Sequence, residues 1–201
     1  MGIDMMNQQV DRSKRRFLVA ATTVVGGAAG VVVLTPFVLS MMPSERAKAA
    51  GAPVVVDFSK LEPGMQLAVA WQGKPVWVVN RTPAMLAKLA GLAPRLADPD
   101  SDVPQQPPYC ENIYRSIKPE YLVVVGICTH LGCSPNFLPT FASPGLGADW
   151  PGGWLCPCHG SRYDLSARVF KHYPAPKNMV VPPHYYMAAT RILVGKDHEG
   201  A

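Results

Sequence analysis

The chain has 201 residues, of which 48% are hydrophobic and 16% are charged, and its net charge is +5. This composition indicates membrane association, although it is not that of a protein with many membrane spans. Part of the positive excess lies in the short run from Arg12 to Arg16, and no basic stripe interleaved with aromatic residues follows it. A nucleic-acid-binding surface is therefore not expected.

The N-terminal part of the chain predicts a membrane anchor. Residues 1–16 are polar and basic, and the 26 residues from Phe17 to Met42 carry no charge. As a helix this segment would be roughly 39 Å long, enough to cross a bilayer core of roughly 30 Å with some tilt. More positive charge precedes the segment than follows it, so we expect the N-terminus in the cytoplasm and everything after residue 43 on the other side of the membrane.

Two details of this region leave alternatives open. Residues 13–18 resemble a twin-arginine export signal, with Lys14 and Arg15 in the twin positions, but an ordinary positive flank explains the same charges. Ala47-Lys48-Ala49 could be a small-x-small cleavage site. Because the apolar segment is long enough to stay in the membrane, we favour an uncleaved anchor at 17–42 and a flexible, alanine-rich tether at 43–52.

The middle of the chain predicts short strands. Residues 54–58, 66–71 and 75–80 have strand composition, and Gln72-Gly73-Lys74 predicts the turn of a hairpin. Thr82 is a candidate N-cap for a short helix over residues 83–90, ended by Gly91. Five prolines in 93–108 predict a surface loop, and residues 121–127 predict a strongly apolar strand.

Several single residues in this region receive structural interpretations. Trp71 and Trp77 are expected to be core or strand-face aromatics, and Cys110 to be a buried or unpaired thiol without an assigned function. The remaining histidines lack ligand spacing and are expected to be ordinary surface or loop residues: His172, His184 and His198.

Two short loops concentrate the metal-binding side chains, Cys128–Cys133 and Cys156–Ser161. They hold four of the five cysteines and two of the five histidines. Each loop offers one cysteine and one histidine at ligand spacing, and such a set suits zinc or an iron–sulfur centre. A tetrahedral zinc site would be complete with these four ligands and would leave no role for Cys133 and Cys158. In an exported domain those two cysteines can form a disulfide.

The two motifs, Cys-Thr-His-Leu-Gly-Cys and Cys-Pro-Cys-His-Gly-Ser, resemble those of the Rieske iron–sulfur family, specifically the Rieske subunit of bacterial cytochrome bc complexes. The resemblance extends over nearly the whole chain. It implies an all-β Rieske head of stacked antiparallel sheets at residues 53–201, with a cluster-binding subdomain at about 127–177, on a single N-terminal transmembrane helix.

The resemblance also implies a site. A Rieske [2Fe–2S] cluster would be bound by Cys128 and Cys156 on one iron and by His130 and His159 on the other. Three further groups of residues would have roles in the family pattern: Cys133 and Cys158 as a disulfide, Ser161 and Tyr163 as hydrogen-bond donors to sulfur, and Pro174, Ala175 and Pro176 as a segment that covers the cluster. Neutral imidazole ligands and hydrogen bonds to sulfur both favour the reduced state and so raise the reduction potential.

The implied function is electron transfer in a dimeric quinol–cytochrome c oxidoreductase. Quinol would be oxidised at a site shared with cytochrome b, and the electron would pass to a c-type haem while the tether lets the head move between partners. His159 is the first choice for the hydrogen bond to quinol and His130 the second, and Leu131 would line an apolar docking face. The alternatives are a Rieske subunit of another periplasmic oxidoreductase, such as an arsenite oxidase, and a structural zinc-binding module. A Rieske-type oxygenase ferredoxin is disfavoured, because those proteins usually lack the second cysteine pair and the anchor.

Two features depart from the family pattern. The 22 residues from Ser134 to Leu155 form a longer insert than in the shorter family members, and their prolines and glycines predict a loop. Tyr173 stands where the family usually has a glycine before Pro-Ala-Pro, which reduces the backbone freedom at that position.

Overall fold

The computed structural model describes residues 11–143 and 145–198. The chain forms two compact units, Met1–Lys48 and Ala49–Ala201, and each is described by itself below. The first ten residues of the predicted cytoplasmic segment 1–16 lie outside the described residues.

The first unit contains helix α1 (Arg12–Ser40), which is long and apolar enough to cross a membrane by length and composition. The helix begins at Arg12 rather than at Phe17, because the Asp11 carboxylate accepts hydrogen bonds from the backbone N–H groups of the first turn. It ends before Met42, which precedes a proline and is therefore biased away from helical backbone.

The predicted tether 43–52 contains a short helix, α2 (Glu45–Ala50), that the sequence interpretation did not include. The Ser44 hydroxyl accepts a hydrogen bond from the Ala47 N–H (3.2 Å), and Lys48 lies 2.7 Å from the Glu45 carboxylate. Alanine, glutamate, arginine and lysine are all good helix formers, so the segment forms a helix once one end is capped. Whether the segment is flexible stays a prediction.

The second unit is an all-β head, as predicted, with one short α-helix in its described residues, α3 (Pro83–Leu89). Segments of 3₁₀ helix lie at Ala90–Arg95 (two turns) and Pro108–Cys110 (one turn). The strands of the described chain are β1 (Val54–Asp57), β2 (Gln66–Trp71), β3 (Lys74–Asn80), β4 (Tyr121–Val125), β5 (Asn136–Leu138), β6 (Gly153–Leu155), β7 (Arg162–Tyr163), β8 (His184–Ala188) and β9 (Arg191–Val194). They form three antiparallel three-stranded sheets in the orders β1-β9-β8, β2-β3-β4 and β5-β6-β7.

The first two sheets form the base of the head. Strands β2 and β3 pair as the predicted hairpin, and Gln72 and Gly73 in its turn both have positive φ (51° and 71°). This geometry matches a type I′ turn, which suits the twist of the paired strands. Alternate residues of β3 and β4 pack against β1 and β9 in one apolar core: Val76, Val78, Val123, Val125, Val56, Phe58, Ile192 and Val194.

The opposite faces of β3 and β4 are buried as well. Trp77, Val79, Leu122 and Val124 belong to a second core, which also contains Cys128 and Cys156 of the two loops. Because successive side chains of a strand point to opposite faces, these two strands join the base to the site region. Trp77 is therefore a core aromatic, as predicted, and Trp71 is half-buried against the first core.

The insert at residues 134–155 is not wholly loop, and that prediction was wrong at both of its ends. Residues 136–138 form β5 and residues 153–155 form β6, and Phe137 pairs with Trp154. The prolines that suggested a loop lie outside both strands. Gly153 is required in β6, because its φ is +144° and a Cβ there would lie 1.9 Å from the backbone oxygen of Tyr163.

The prediction that residues 93–108 form a surface loop was wrong in part, because Leu96 belongs to a third apolar core. Leu96 is fully buried and pairs with Phe170, and the 3₁₀ turn continues from α3 past Gly91 to Arg95. Thr82 caps α3 as predicted. Cys110 is a buried free thiol, also as predicted.

Two of the three remaining histidines are exposed as expected, His172 and His198. The expectation for His184 was wrong. It begins β8 and is 1% exposed, with its Nδ1 2.8 Å from the Pro182 carbonyl oxygen.

Candidate metal centre

The two cysteine- and histidine-containing loops share one backbone arrangement. In the first loop, the Cys128 N–H donates to the Cys133 carbonyl (2.8 Å) and the Gly132 N–H to the Cys128 carbonyl (3.0 Å). The second loop has the same two bonds at the same lengths, from Cys156 to Ser161 and from Gly160 to Cys156. Both glycines have positive φ, +85° and +75°. Cys128 and Cys156 are therefore equivalent positions of two similar turns.

The surrounding strands hold the loops in place. The first loop leaves β4 through Gly126, where a Cβ would lie 2.2 Å from the Trp77 ring. The second loop connects the paired strands β6 and β7. A disulfide between Cys133 and Cys158 joins the two loops across a Cα–Cα distance of 6.6 Å, which agrees with the expected pairing.

The four candidate ligands lie on these joined loops. Cys128 and Cys156 are free thiols, each 2% exposed and packed in the same core. Burial, followed by a hydrogen bond with Cys128, raises the pKa of the Cys156 thiol, so a thiolate there requires a nearby positive charge. The imidazole rings of His130 and His159 lie 4.7 Å apart between centroids and nearly perpendicular.

The donor set fits an iron–sulfur cluster of the Rieske type. The two cysteines present sulfur and the two neighbouring histidines present imidazole nitrogen, the ligand types of such a centre. The Nδ1 atom of His130 is buried and has no hydrogen-bond partner among the described residues, which suits an atom that binds a metal. The sulfurs of Cys133, Cys156 and Cys158 also lie within 4.8 Å of one another, but two of them form the disulfide, so this trio is not a separate metal site.

The side chain of Tyr163 on β7 contacts the first loop. Its fully buried hydroxyl lies 3.2 Å from the Cys128 sulfur and 3.1 Å from the Thr129 backbone nitrogen, which donates to it. Desolvation raises the pKa of the phenol, so its proton stays available for donation to sulfur. The Thr129 hydroxyl, 3.1 Å away, is a second possible acceptor.

The proline segment 174–176 is fastened to both loops. Ala175 carries its only backbone N–H, because proline has none, and this group donates to the Ser161 hydroxyl oxygen (3.1 Å). Lys177, the next residue, accepts a hydrogen bond from the Thr129 hydroxyl (2.6 Å). Ser161 is fully buried, and its own proton remains free for another acceptor. Nothing in the sequence marked Thr129 as a site residue except its place beside Cys128.

Two other predicted features can be located. Leu131 is 71% exposed, and His159 is exposed while His130 is half-buried. Tyr173 does not need the backbone freedom of a glycine, because the positive φ of this stretch falls on His172 (65°). The Tyr173 ring instead packs 5.2 Å from the Arg162 guanidinium.

Comparisons with known proteins agree with this site. Residues 102–185 match the Rieske [2Fe-2S] domain, and residues 5–44 match the family described as "Ubiquitinol-cytochrome C reductase Fe-S subunit TAT signal". The second match favours the twin-arginine interpretation of residues 13–18 over an ordinary positive flank.

Five relatives that align over more than nine tenths of both chains carry the name "Ubiquinol-cytochrome c reductase iron-sulfur subunit". The protein of Allochromatium vinosum is 61% identical over 98% of this chain and 95% of its own. That of Blastochloris viridis is 40% identical over 92% and 94%. A solved chain titled "Hyperthermophilic respiratory Complex III" is 23% identical over 87% of this chain and 98% of its own, with a TM-score of 0.46, a likeness too weak to add to the argument. From its full-length relatives, the chain belongs to the Rieske iron–sulfur subunits of ubiquinol–cytochrome c reductase, which transfer electrons in the cytochrome bc complex.

Proposed function

We propose that Cys128 and Cys156 bind one iron of the [2Fe–2S] cluster and that His130 and His159 bind the other. The observation that carries this assignment is the matched pair of loops. Their common backbone places two buried free thiols in contact and two imidazoles side by side, with one histidine nitrogen left without a partner. When bound, the cluster accepts one electron from a quinol and passes it to a c-type haem.

The exposed ends of the loops form the proposed quinol contact. His159 is exposed, so its ring nitrogen that does not bind iron would accept a hydrogen bond and then a proton from the quinol hydroxyl. His130 is half-buried and is the second candidate. Leu131, 71% exposed beside it, gives an apolar surface against which a quinol ring or cytochrome b can pack.

Ser161 and Tyr163 are proposed to donate hydrogen bonds to sulfur. The Ser161 oxygen already accepts from Ala175, so its hydroxyl proton is free for a bridging sulfide. Tyr163 lies within hydrogen-bond distance of the Cys128 sulfur. Donors to sulfur stabilise the added negative charge of the reduced state, which raises the reduction potential.

The placement in the membrane is also proposed. Residues 1–16 would be cytoplasmic and the head periplasmic, in a dimeric complex with cytochrome b and a c-type cytochrome. The basic residues in the first turns of α1, Arg12 to Arg16, precede its apolar part and support this orientation. A mature protein with its N-terminus intact would support an uncleaved anchor, whereas a chain starting at Ala50 would contradict it.

Spectroscopy and metal analysis test the cluster assignment directly. We expect a Rieske-type electron paramagnetic resonance spectrum from the dithionite-reduced protein, and iron with acid-labile sulfide in equal amounts. Zinc without sulfide would overturn the assignment in favour of a structural metal site.

The docking surface has its own test in the assembled complex. We expect Leu131→Ser to lower quinol–cytochrome c reductase turnover while the reduction potential stays unchanged, because the side chain contacts the partner and not the metal. Met187→Ser is the matched control, since Met187 is also exposed (52%) but lies on β8 of the base. Equal turnover in the two variants would rule out this role for Leu131.

The tether is tested by changing its helix. Ala47→Pro and Ala49→Pro should break α2, because proline in a helix interior removes a hydrogen bond and clashes with the preceding turn. We expect slower turnover with an unchanged cluster spectrum, and near-normal turnover for Ala49→Ser. Normal turnover in the proline variants would contradict a mechanical role for the segment.

A further inference from the structure

A group of buried charges meets at the turn 164–168, which follows Tyr163 and packs through Ala167 in the core that contains Cys128 and Cys156. Four charged side chains of the head are at most 2% exposed: Arg81, Arg115, Arg168 and Asp164. They comprise three guanidinium groups and one carboxylate. Such an excess of positive charge is unusual in a protein interior, because burying a charge without a counterion is costly.

One of the arginines is neutralised. Arg168 forms an ion pair with Asp164, with its Nε and Nη2 atoms 2.9 Å and 2.8 Å from Oδ2. The other oxygen of this carboxylate accepts hydrogen bonds from the Ser166 and Arg168 N–H groups, both at 2.9 Å. Asp164 is therefore fully occupied within its own turn.

The other two arginines donate to neutral oxygens in the hydrogen bonds of the described chain. Arg81 donates to the carbonyls of Tyr114 (2.9 Å) and Leu165 (3.0 Å) and to the hydroxyls of Ser166 (3.1 Å) and Ser116 (2.8 Å). Arg115 donates to the carbonyls of Ser166 (3.4 Å) and Ala167 (3.2 Å) and to the Gln106 side chain (2.8 Å).

Both of these arginines remain charged at neutral pH. Desolvation lowers the pKa of Arg81 and of Arg115 to about 10, and attraction by Asp164 opposes this effect in both. Asp98, which is half-buried, also raises the pKa of Arg115. The exposed Glu120 raises the pKa of Arg81 in the same way, so one buried, one half-buried and one exposed carboxylate oppose three buried guanidinium groups.

The position of this cluster connects it to the thiols. All three arginines converge on the turn 164–168, which begins at the residue after Tyr163. Ala167, whose carbonyl accepts from Arg115, packs in the same core as Cys128 and Cys156. The field of a charge extends further through such an interior than through water, because the effective dielectric constant is lower.

We propose that the buried positive excess of Arg81, Arg115 and Arg168 raises the reduction potential of the cluster through its electric field. This inference rests on the proposed ligands Cys128 and Cys156. Reduction adds one negative charge at the site, and a fixed positive charge near it stabilises that state without contacting the metal. The arginines are thus tuning residues that act at a distance.

Removing charges of opposite sign in separate variants distinguishes this electrostatic role from a purely structural one. In the complete complex, Arg115→Gln removes a positive charge and should lower the midpoint potential measured by voltammetry. Asp164→Asn removes a negative charge while keeping an oxygen for its N–H donors, and it should raise the potential. A tenfold change in the reduction equilibrium, 59 mV for one electron, is expected in each direction.

Two controls accompany these variants. Arg115→Lys keeps the charge and should restore most of the potential. Arg95→Gln removes an exposed guanidinium (side chain 42% exposed), whose field is screened by water and salt, and should change the potential least.

The possible outcomes are distinct. If the wild-type protein shows no Rieske-type electron paramagnetic resonance spectrum, the proposed site itself is refuted. A retained spectrum with unchanged potentials, or with shifts of the same sign for Arg115→Gln and Asp164→Asn, would overturn the electrostatic role. If Asp164→Asn does not fold, Arg81→Gln against Arg81→Lys supplies the comparison, with only the first expected to lower the potential.

Discussion

The first loop, Cys128–Cys133, and the second loop, Cys156–Ser161, close with the same two backbone hydrogen bonds and the same left-handed glycine. Their side chains differ at every other functional position. The third residue is His130 in one and Cys158 in the other, and the sixth is Cys133 in one and Ser161 in the other. One backbone frame, used twice, therefore carries two different sets of chemistry.

This difference makes the site asymmetric. The histidine of the first loop is third and half-buried, whereas that of the second is fourth and exposed. The disulfide joins the sixth position of one loop to the third position of the other, so it crosses between non-equivalent sites. The equivalent cysteines are both buried, whereas the two histidines, at shifted positions, differ in exposure.

The largest expected effect comes from the equivalent cysteines. Because Cys128 and Cys156 occupy the same position and are equally buried, Cys128→Ala and Cys156→Ala should each abolish cluster binding. Iron and acid-labile sulfide analysis of the purified protein measures this. Cys110→Ala is the matched control, since this buried thiol lies outside both loops and its loss should leave iron content unchanged. Retained iron in either loop variant would break the equivalence.

The link between the loops comes next. Removing the disulfide with Cys133→Ala and Cys158→Ala together should lower the free energy of unfolding by about 3 kcal/mol, from loop-closure entropy over 25 residues. Denaturant titration of the oxidised protein measures this loss. Reduction of the unmodified protein should have a similar effect, and a loss below about 1 kcal/mol would show that the loops hold together without the bond.

The proposed hydrogen bonds to sulfur should change the reduction potential. Ser161→Ala and Tyr163→Phe each remove one donor to a charged acceptor, worth about 1.5 kcal/mol, which corresponds to about 60 mV for one electron. We expect both to lower the reduction potential while the cluster is retained, as protein film voltammetry would show. Thr140→Val is a suitable control, because Thr140 is an exposed hydroxyl in the insert. Unchanged reduction potentials would show that sulfur does not accept these hydrogen bonds.

The smallest expected effect comes from replacing the glycine of each loop, which tests whether the two backbones are equally strained. Gly132→Ala and Gly160→Ala should each cost about 1 kcal/mol, since both glycines have positive φ and open space for a Cβ. Equal losses in denaturant titrations are the expected result. Gly153→Ala should cost more, because its Cβ would collide with the Tyr163 carbonyl. Unequal losses for the loop pair would mean that the frames differ in strain.

Much of this architecture could be predicted from local sequence signals. The hairpin of β2 and β3, the Thr82 cap and the apolar strand β4 each follow from a few adjacent residues. The loops were found because cysteine and histidine are concentrated there. These features depend on short-range chemistry, which a single sequence contains.

The failures share a different cause. Strand β5 has three residues and exists because Phe137 pairs with Trp154, seventeen positions away. The burial of Leu96 and His184 likewise depends on distant partners. The arginine cluster combines positions 81, 115 and 168, which appear in the sequence as isolated basic residues. Only the folded chain brings them together.

Strands β3 and β4 are buried on both faces, between the base core and the core that contains the two thiols. The two loops are therefore supported by closely packed strands whose side chains have little room to rearrange when an electron is added to the site. If the proposed ligands hold the cluster, little structural adjustment should accompany its reduction, so the reorganisation energy should be low and electron exchange rapid in both directions.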